Sequence, residues 1–484
     1  MTALTDSSRS VCLVSLGCAK NLVDSEVMMG HLDRAGIGLV TEPEDADVVI
    51  INTCGFIDAA REESIDTVLQ YVAMKEQGVV RGVVVTGCLV QLHEKQLAEE
   101  IPEVDAFLGL SDYSGVPSIV DAVLGHKGAM PGPDDVLPRS GLVGGGKKGG
   151  DADLGRALLT PPHTAYLRLG EGCNHICAFC AIPKIRGKLA SKPMEVLVEE
   201  ASALAQLGTR EITLVAEDST DYGKDLDLGY DLSDLLVELG KIEGLRWVRV
   251  MYAHPATLDE RLVATMASVP NVLPYLDMPV QHGDSAVLKA MRRGTSAERI
   301  RQVVGQLREG IPDITLRTTI LVGFPGETEE SFQNLMGLLE DLRFDRVGCF
   351  VFSAEETTEA ANLPGAVSRE VAEERQAQVM ALQRQLLTDA NRARIGSEEE
   401  ILIDLVEDLE GVPGRLAVGR TCRDALQVDG QVLVSLPEAA DQSAAADGPS
   451  APGADWTAGK FVRVKVTGQK GYDLVATPCP SADP

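Results

Sequence analysis

The first 125 residues alternate short apolar runs with amphipathic stretches. The runs VCLVSL (11–16), DVVIIN (47–52), RGVVVTG (81–87) and DAFLGL (105–110) are nearly continuous in apolar side chains, the pattern of strands buried inside a parallel sheet. Between them, residues 21–35, 57–76 and 92–100 repeat their apolar positions with helical spacing. This alternation predicts a doubly wound α/β domain over 10–125. The pattern stops at 126–160, where HKGAMPGPDDVLPRSGLVGGGKKGGDADLG is rich in Gly, Pro and charge and reads as a flexible linker. It then resumes with six strand candidates: TAYLRLG, REITLVAED, RWVRVMYAHP, VLPYLDMPVQ, TLRTTILVGFPG and RVGCFVFSAEE. Separated by helical stretches, they predict a partial (β/α) barrel over 161–394, with its chemistry at the C-terminal strand ends and the helical run 369–394 leading out. Over 397–484 the runs EILIDLVED, RLAVGRT, QVLVSL and FVRVKVTG predict a small β-barrel, interrupted at 437–455 by a segment of disordered composition.

Length agrees with this division, since 484 residues suggest about three domains. The start, MTALTDSSRS, has no apolar core of a signal peptide, and no apolar run approaches the ~20 residues of a membrane span. Ten cysteines in such a chain do not read as a disulfide framework. A cytoplasmic protein with reduced thiols and no membrane partner is expected. The net charge of −29 argues against a nucleic-acid partner unless a local basic patch overrides it, and suits a very basic protein; solubility alone would also account for it. The segment 397–484 shares this sign, with 15 Asp/Glu against 7 Lys/Arg.

Candidate chemistry lies in the cysteines. Cys173, Cys177 and Cys180 are spaced C-x3-C-x2-C in EGCNHICAFCAIPKIRG. Three thiolates on one tight loop can hold three irons of a [4Fe–4S] cube and leave the fourth open to a small molecule. A zinc site is the alternative, but it would want a fourth ligand, and His175 lies inside the loop. Cys18 (SLGCAKN), Cys54 (INTCGF) and Cys88 (VTGCLVQ) each follow a predicted strand. The carboxyl ends of parallel strands converge on one crevice, so these three thiols form a second candidate cluster site; three small buried cysteines are the alternative. Cys12, Cys349, Cys422 and Cys479 show no grouping.

The C-x3-C-x2-C run with Phe179 before its last cysteine resembles the radical S-adenosylmethionine (SAM) superfamily. The whole architecture, a three-cysteine α/β domain, a radical barrel and a small β-barrel, resembles the methylthiotransferase family. That resemblance implies two [4Fe–4S] clusters and two SAM molecules, one as methyl donor and one as source of a 5′-deoxyadenosyl radical. It further implies a sulfur-handling cluster at Cys18, Cys54 and Cys88, a radical cluster at Cys173, Cys177 and Cys180, and a C-terminal (TRAM) barrel that recognises the substrate. A sulfur donor and an electron donor would be needed. Of the family's two branches, YLDMPVQHGDSAVLKAMRRG, AIPKIRGKLASKP and VGRTCRDALQVDG resemble the one acting on an aspartate β-carbon of small-subunit ribosomal protein twelve, free or in the subunit. The acidic last barrel points the same way, with no direct nucleic-acid substrate. The transfer-RNA branch and a non-catalytic iron–sulfur carrier are the other readings. Departures from the branch pattern are Glu217 where Gln is usual, and Phe352 and Thr357 where Tyr and Gly are common.

On this resemblance Phe179 would pack on adenine, Glu217 accept the methionyl ammonium, and Arg317 clamp its carboxylate. Gly323 and Gly326 would admit the ligand to the backbone. Against these stand loop packing, a solvated acid, a barrel ion pair and turn glycines. Glu327 is expected to cap the next helix; Asp277, His282 and Asp284 are candidates to line the substrate pocket, with a hydrogen-bonded barrel residue the commoner role for His282.

Overall fold

The computed structural model describes residues 9–110, 113–125, 153–408, 414–436 and 455–479. The N-terminal domain is a five-stranded parallel sheet of β1 (Ser10–Ser15), β2 (Gly38–Val40), β3 (Val48–Thr53), β4 (Gly82–Gly87) and β5 (Ala106–Leu108), in the order β2-β1-β3-β4-β5. Helices α1 (Ala19–Arg34), α2 (Asp58–Glu76), α3 (Cys88–Glu100) and α4 (Val116–Val123) flank it. The order reverses between β1 and β3, which opens a crevice at their carboxyl ends. Helix α3 starts at Cys88 rather than at 92 because Gly87, at φ +103°, turns straight from strand to helix. His93 is non-helical and interrupts the periodicity before it can be read.

The second domain is a six-stranded parallel sheet in the order β13-β12-β11-β10-β9-β6. The strands are β6 (Thr164–Arg168), β9 (Glu211–Val215), β10 (Trp247–Val250), β11 (Val272–Asp277), β12 (Thr315–Val322) and β13 (Arg346–Val351). Helices α6 (Met194–Gln206), α7 (Leu232–Leu239), α8 (Glu260–Ser268), α9 (Ser285–Ala290), α10 (Ala297–Gly310) and α11 (Glu329–Leu342) lie among them, and α12 (Arg369–Arg394) follows β13. A short antiparallel pair, β7 (Gly170–Glu171) with β8 (Ala190–Ser191), pinches off a loop that contains α5 (Ile182–Ile185) and the C-x3-C-x2-C run. The third domain is a closed barrel, β14-β15-β16-β18-β17, of β14 (Glu398–Asp408), β15 (Arg415–Thr421), β16 (Val432–Leu436), β17 (Phe461–Lys470) and β18 (Asp473–Pro478). Strand β18 and the three-residue β2 were too short or too polar to register as apolar runs. Of the expected disordered insert, residues 437–454 lie outside the described residues.

The third domain seals the amino-terminal base of the six-stranded sheet. Arg420 of β15 and Arg249 of β10 both bind Glu211 of β9, at 2.7 and 3.0 Å, with all three side chains buried. The first two domains meet through a larger buried network. Arg168 of β6 reaches Asp24 of α1, Asp153 and Glu171; Arg186 reaches Asp24 (2.8 Å) and Glu171 (3.0 Å); Lys192 reaches Asp153 and Glu200, both at 2.8 Å. Asp153 belongs to the stretch expected to be linker. Residues 126–152 lie outside the described residues, but 153–160 are docked rather than free. Ala157 and Leu159 donate their amide hydrogens to Glu26, and Gly155 accepts from Arg34 at 2.8 Å. Composition signals a linker here, but the carboxylate of Asp153 meets two buried cations and outweighs it.

A buried ion set of this kind is costly to break, because removing one partner strands the others without solvent. Arg168→Met should therefore lower the unfolding free energy by ~3–5 kcal/mol, read from urea midpoints at pH 7. A loss below about 0.5 kcal/mol would show that the network does not hold the first two domains together.

Candidate functional site

Three neighbouring strands end in cysteine. Cys18 is the N-cap of α1 after β1, Cys54 follows β3 directly, and Cys88 opens α3 after β4. Neighbouring strands run about 4.8 Å apart, so the strand ends bring the three thiols to one crevice. Glycine allows the approach: a Cβ on Gly17 (φ +90°) would lie 2.8 Å from Cys54 Cβ, and one on Gly87 would lie 2.3 Å from Thr53 O. The thiols feel each other's charge. Burial pushes Cys88 up to about 12, although the Arg186 guanidinium opposes this.

The second set sits on the loop pinched by β7 and β8. Cys173 N donates to Gly187 O, Cys180 N to Cys177 O, and Ala178 N to Met291 O. Arg293 brings Nη1 to 3.7 Å from Cys177 Sγ. Burial pushes Cys173 up to about 11 and Cys180 up to about 12, and nearby acids and thiols add to both shifts. His175 binds Asp218 Oδ2 at 2.6 Å and stacks on His254 with ring centroids 4.3 Å apart and planes 13° from parallel. Burial first, then Arg293, lowers His254 to about 3, so it stays neutral.

Among the described residues, the one group of three ligand atoms all within 4.8 Å of one another is His175, Asp218 and His254. An imidazole lone pair lies in its ring plane, so two rings stacked face to face cannot both direct one at the same ion. The trio instead props the cysteine loop against the end of β9. Neither cysteine set closes to that distance, whereas zinc bonds of about 2.3 Å would draw three sulfurs to about 3.8 Å. Three thiols at each set, with no fourth ligand grouped with them among the described residues, fit a [4Fe–4S] cube.

The two sets are joined by side chains. Arg186, six residues past Cys180, crosses into the N-terminal domain and places Nη2 2.9 Å from Asn21 Oδ1 and 3.9 Å from Cys88 Sγ. Lys20, two residues past Cys18, crosses the other way to Glu217 Oε1 at 2.7 Å. Glu217 thus holds an ammonium, but it is that of Lys20. Phe179 packs with Phe324, Val287, Met291 and Ala360 at the end of β12, and Phe352 meets Phe324 edge to face.

Arg317 stands elsewhere. It is the third residue of β12, toward the base of the sheet, and binds Asp277 (3.0 Å) and Asp429 of the third domain (3.6 Å). The residue type suited a carboxylate clamp, but a position so early in its strand does not reach the loop end. Gly323 is spared a side chain for packing: a Cβ there would lie 2.5 Å from Ala372 Cβ in α12. Gly326 donates to Gly365 O and is a turn residue. Glu327 does not cap α11, whose cap is Thr328; it is buried, accepts from Gly323 N and binds Arg375. His282 Nδ1 accepts from Asp284 N, Asp284 caps α9, and Asp277 is taken by Arg317. All three are committed to structural bonds. The sequence reading missed Lys20, Asn21, Arg186 and Arg293; the first three follow a cysteine within six residues, which is the only local signal they carry.

Three family models match in succession: the uncharacterized protein family UPF0004 over 10–109, the radical SAM superfamily over 167–339, and the TRAM domain over 395–479. The chain is 39% identical over 473 residues to the ribosomal protein uS12 methylthiotransferase RimO of Geobacter sulfurreducens, covering 98% of this chain and 99% of that one. It is 41% identical over 466 residues to the protein of the same name from Anaeromyxobacter sp. strain K, covering 96% and 92%. Among solved structures, the radical SAM methyltransferase TsrM of Kitasatospora setae shares the fold at TM-score 0.54 and 15% identity, over 73% of this chain and 77% of that one.

The raised thiols give a pH signature. In the metal-free protein at pH 8, Cys88 and Cys180 should alkylate far more slowly than the exposed Cys18, and their rates should climb as pH rises toward 11–12, where thiolate forms. Peptide mass analysis after timed iodoacetamide exposure reads this. Equal rates at Cys18 and Cys88 in folded protein would contradict the burial.

Proposed function

The chain belongs to the ribosomal protein uS12 methylthiotransferase (RimO) family, and from that premise we propose that it attaches a methylthio group to the β-carbon of an aspartate of ribosomal protein uS12. The observation that carries this is the pair of three-thiol sites at the junction of two domains, tied to each other by Arg186 and Lys20. When bound, the cluster at Cys173, Cys177 and Cys180 with SAM supplies a 5′-deoxyadenosyl radical, and the cluster at Cys18, Cys54 and Cys88 supplies the place of sulfur attachment. The chain's own residues orient and shield. His175, Asp218 and His254 hold the radical loop, Lys20 neutralises Glu217 between the two sites, and Phe179 offers a ring to adenine. No side chain need act as a base, because hydrogen abstraction carries the proton and electron away together. We assign 10–125 to sulfur handling, 161–394 to radical generation and 397–484 to substrate recognition, and place the reaction in the cytoplasm with external electron and sulfur donors. Among the described residues no helix is long and apolar enough to cross a membrane.

A protein substrate is favoured by the charge of the third domain. Strand β17 exposes Arg463 and Lys465, but the register sets Glu400 and Glu398 of β14 opposite them, and Arg463 binds Glu398 at 3.0 Å. The face that would grip a phosphate backbone is thereby neutralised.

With purified protein, a reductant, SAM and uS12, Cys173→Ala should abolish both 5′-deoxyadenosine formation and methylthiolation. Cys18→Ala should abolish methylthiolation while still cleaving SAM. Each loss should exceed the ~10–100-fold that follows loss of an outer partner of a metal ligand. Full methylthiolation by either variant would refute the assignment.

A further inference from the structure

A groove of 390 Å³ opens between α2 of the N-terminal domain and the carboxyl ends of β12 and β13, lined among others by Ile57, Asp58, Phe350, Phe352, Val367 and Glu373. Its volume falls within the ~300–1,000 Å³ of ligand clefts. It adjoins the start of α2, just past the strand end that carries Cys54. Ile57 is three residues past Cys54, Phe350 is the penultimate residue of the edge strand β13, and Phe352 is the residue after that strand. Phe350 is 42% exposed and Phe56, beside Ile57, is 41% exposed. These are large aromatic surfaces left to water at a domain junction. The inner wall is firm: Arg61 of α2 binds Glu355 and Ser353 beyond β13.

The rim is acidic. Arg369 stands in the field of Glu373, Glu62 and Asp58, and Arg61 is shared between Asp58 and Glu355. Glu355 is buried in the wall with Arg61, and Arg369 binds Glu373 at 2.7 Å, so Asp58, Glu62 and Glu373 against Arg369 leave the rim net negative. The edge strand does not invite strand addition, because Gln376 already donates to Cys349 O at 2.7 Å and Gln383 to Asp345 O at 3.0 Å. An occupant must dock by its side chains.

We propose that this groove binds a short loop of the protein substrate, seating an apolar side chain on Phe350 and Phe352 while flanking cations meet Asp58, Glu62 and Glu373. That the occupant is protein rests on the function proposed above. A net-negative rim selects a basic segment and repels a phosphate backbone. The nearness of Cys54 would then hold a residue adjoining the docked loop against the two thiol sites.

The test compares Phe350→Glu, Phe350→Leu and Glu373→Lys in methylthiolation of purified uS12, with 5′-deoxyadenosine formation in the absence of uS12 as the control. The groove predicts that Phe350→Glu raises KM for uS12 about tenfold, and that Glu373→Lys raises it about threefold with a weaker salt dependence. Phe350→Leu should stay near wild type, and all three should form 5′-deoxyadenosine at the wild-type rate. An unchanged KM in both Phe350→Glu and Glu373→Lys, with the wild type active on uS12, would overturn the groove and leave the function standing. A wild type that cleaves SAM but never modifies uS12 would overturn the function itself. A KM effect seen on an RNA substrate instead would assign the groove to nucleic acid and defeat the proposal.

Discussion

The ion network around Arg168 and Arg186 is the constraint from which the rest follows. Burying these cations is tolerable only because Asp24, Asp153 and Glu171 are buried with them and every partner is in place. Apolar residues could glue two domains as strongly, but they would accept several sliding registers. A set of bidentate and shared ion pairs accepts one. That register decides where the crevice of the first sheet faces the carboxyl ends of the second. Arg186 is both a member of the network and a neighbour of Cys88 Sγ, so domain docking and thiol placement are one event.

The thiols themselves contribute little to this order. Burial pushes Cys54, Cys88, Cys173 and Cys180 toward the neutral form, which lessens repulsion between thiolates in the metal-free protein, while Cys18 stays exposed. Metal loading must release those protons, and the binding free energy then adds to the stability of loops that are otherwise held by a few backbone hydrogen bonds. The base of the barrel is independent of this. Glu211, Arg249 and Arg420 close it with the third domain, without drawing on either thiol set.

The two cysteine sets were legible because each rests on a local rule: one on spacing within a loop, the other on three strands that each end in cysteine. The six barrel strands and the closing helix were legible for the same reason, and 369–394 matches α12 at both ends. What stayed hidden depends on distant partners. Nothing around Arg186 announces a thiol 98 residues earlier in the chain. Asp153 sits in a Gly-rich stretch, yet two buried cations claim it. Arg317 carried the right chemistry at the wrong level of its strand, and Gly323 made room for a helix rather than for a ligand. Residue type is read from sequence, but the level at which a side chain leaves its strand has to be seen.

The most direct measurement is the intact mass of uS12 from cells with and without the gene for this chain, taken together with a nucleoside analysis of their transfer RNA. The account predicts a methylthio increment on one aspartate of uS12 that vanishes in the deletion, with transfer RNA unchanged. An unaltered uS12 alongside a lost methylthioadenosine would contradict it.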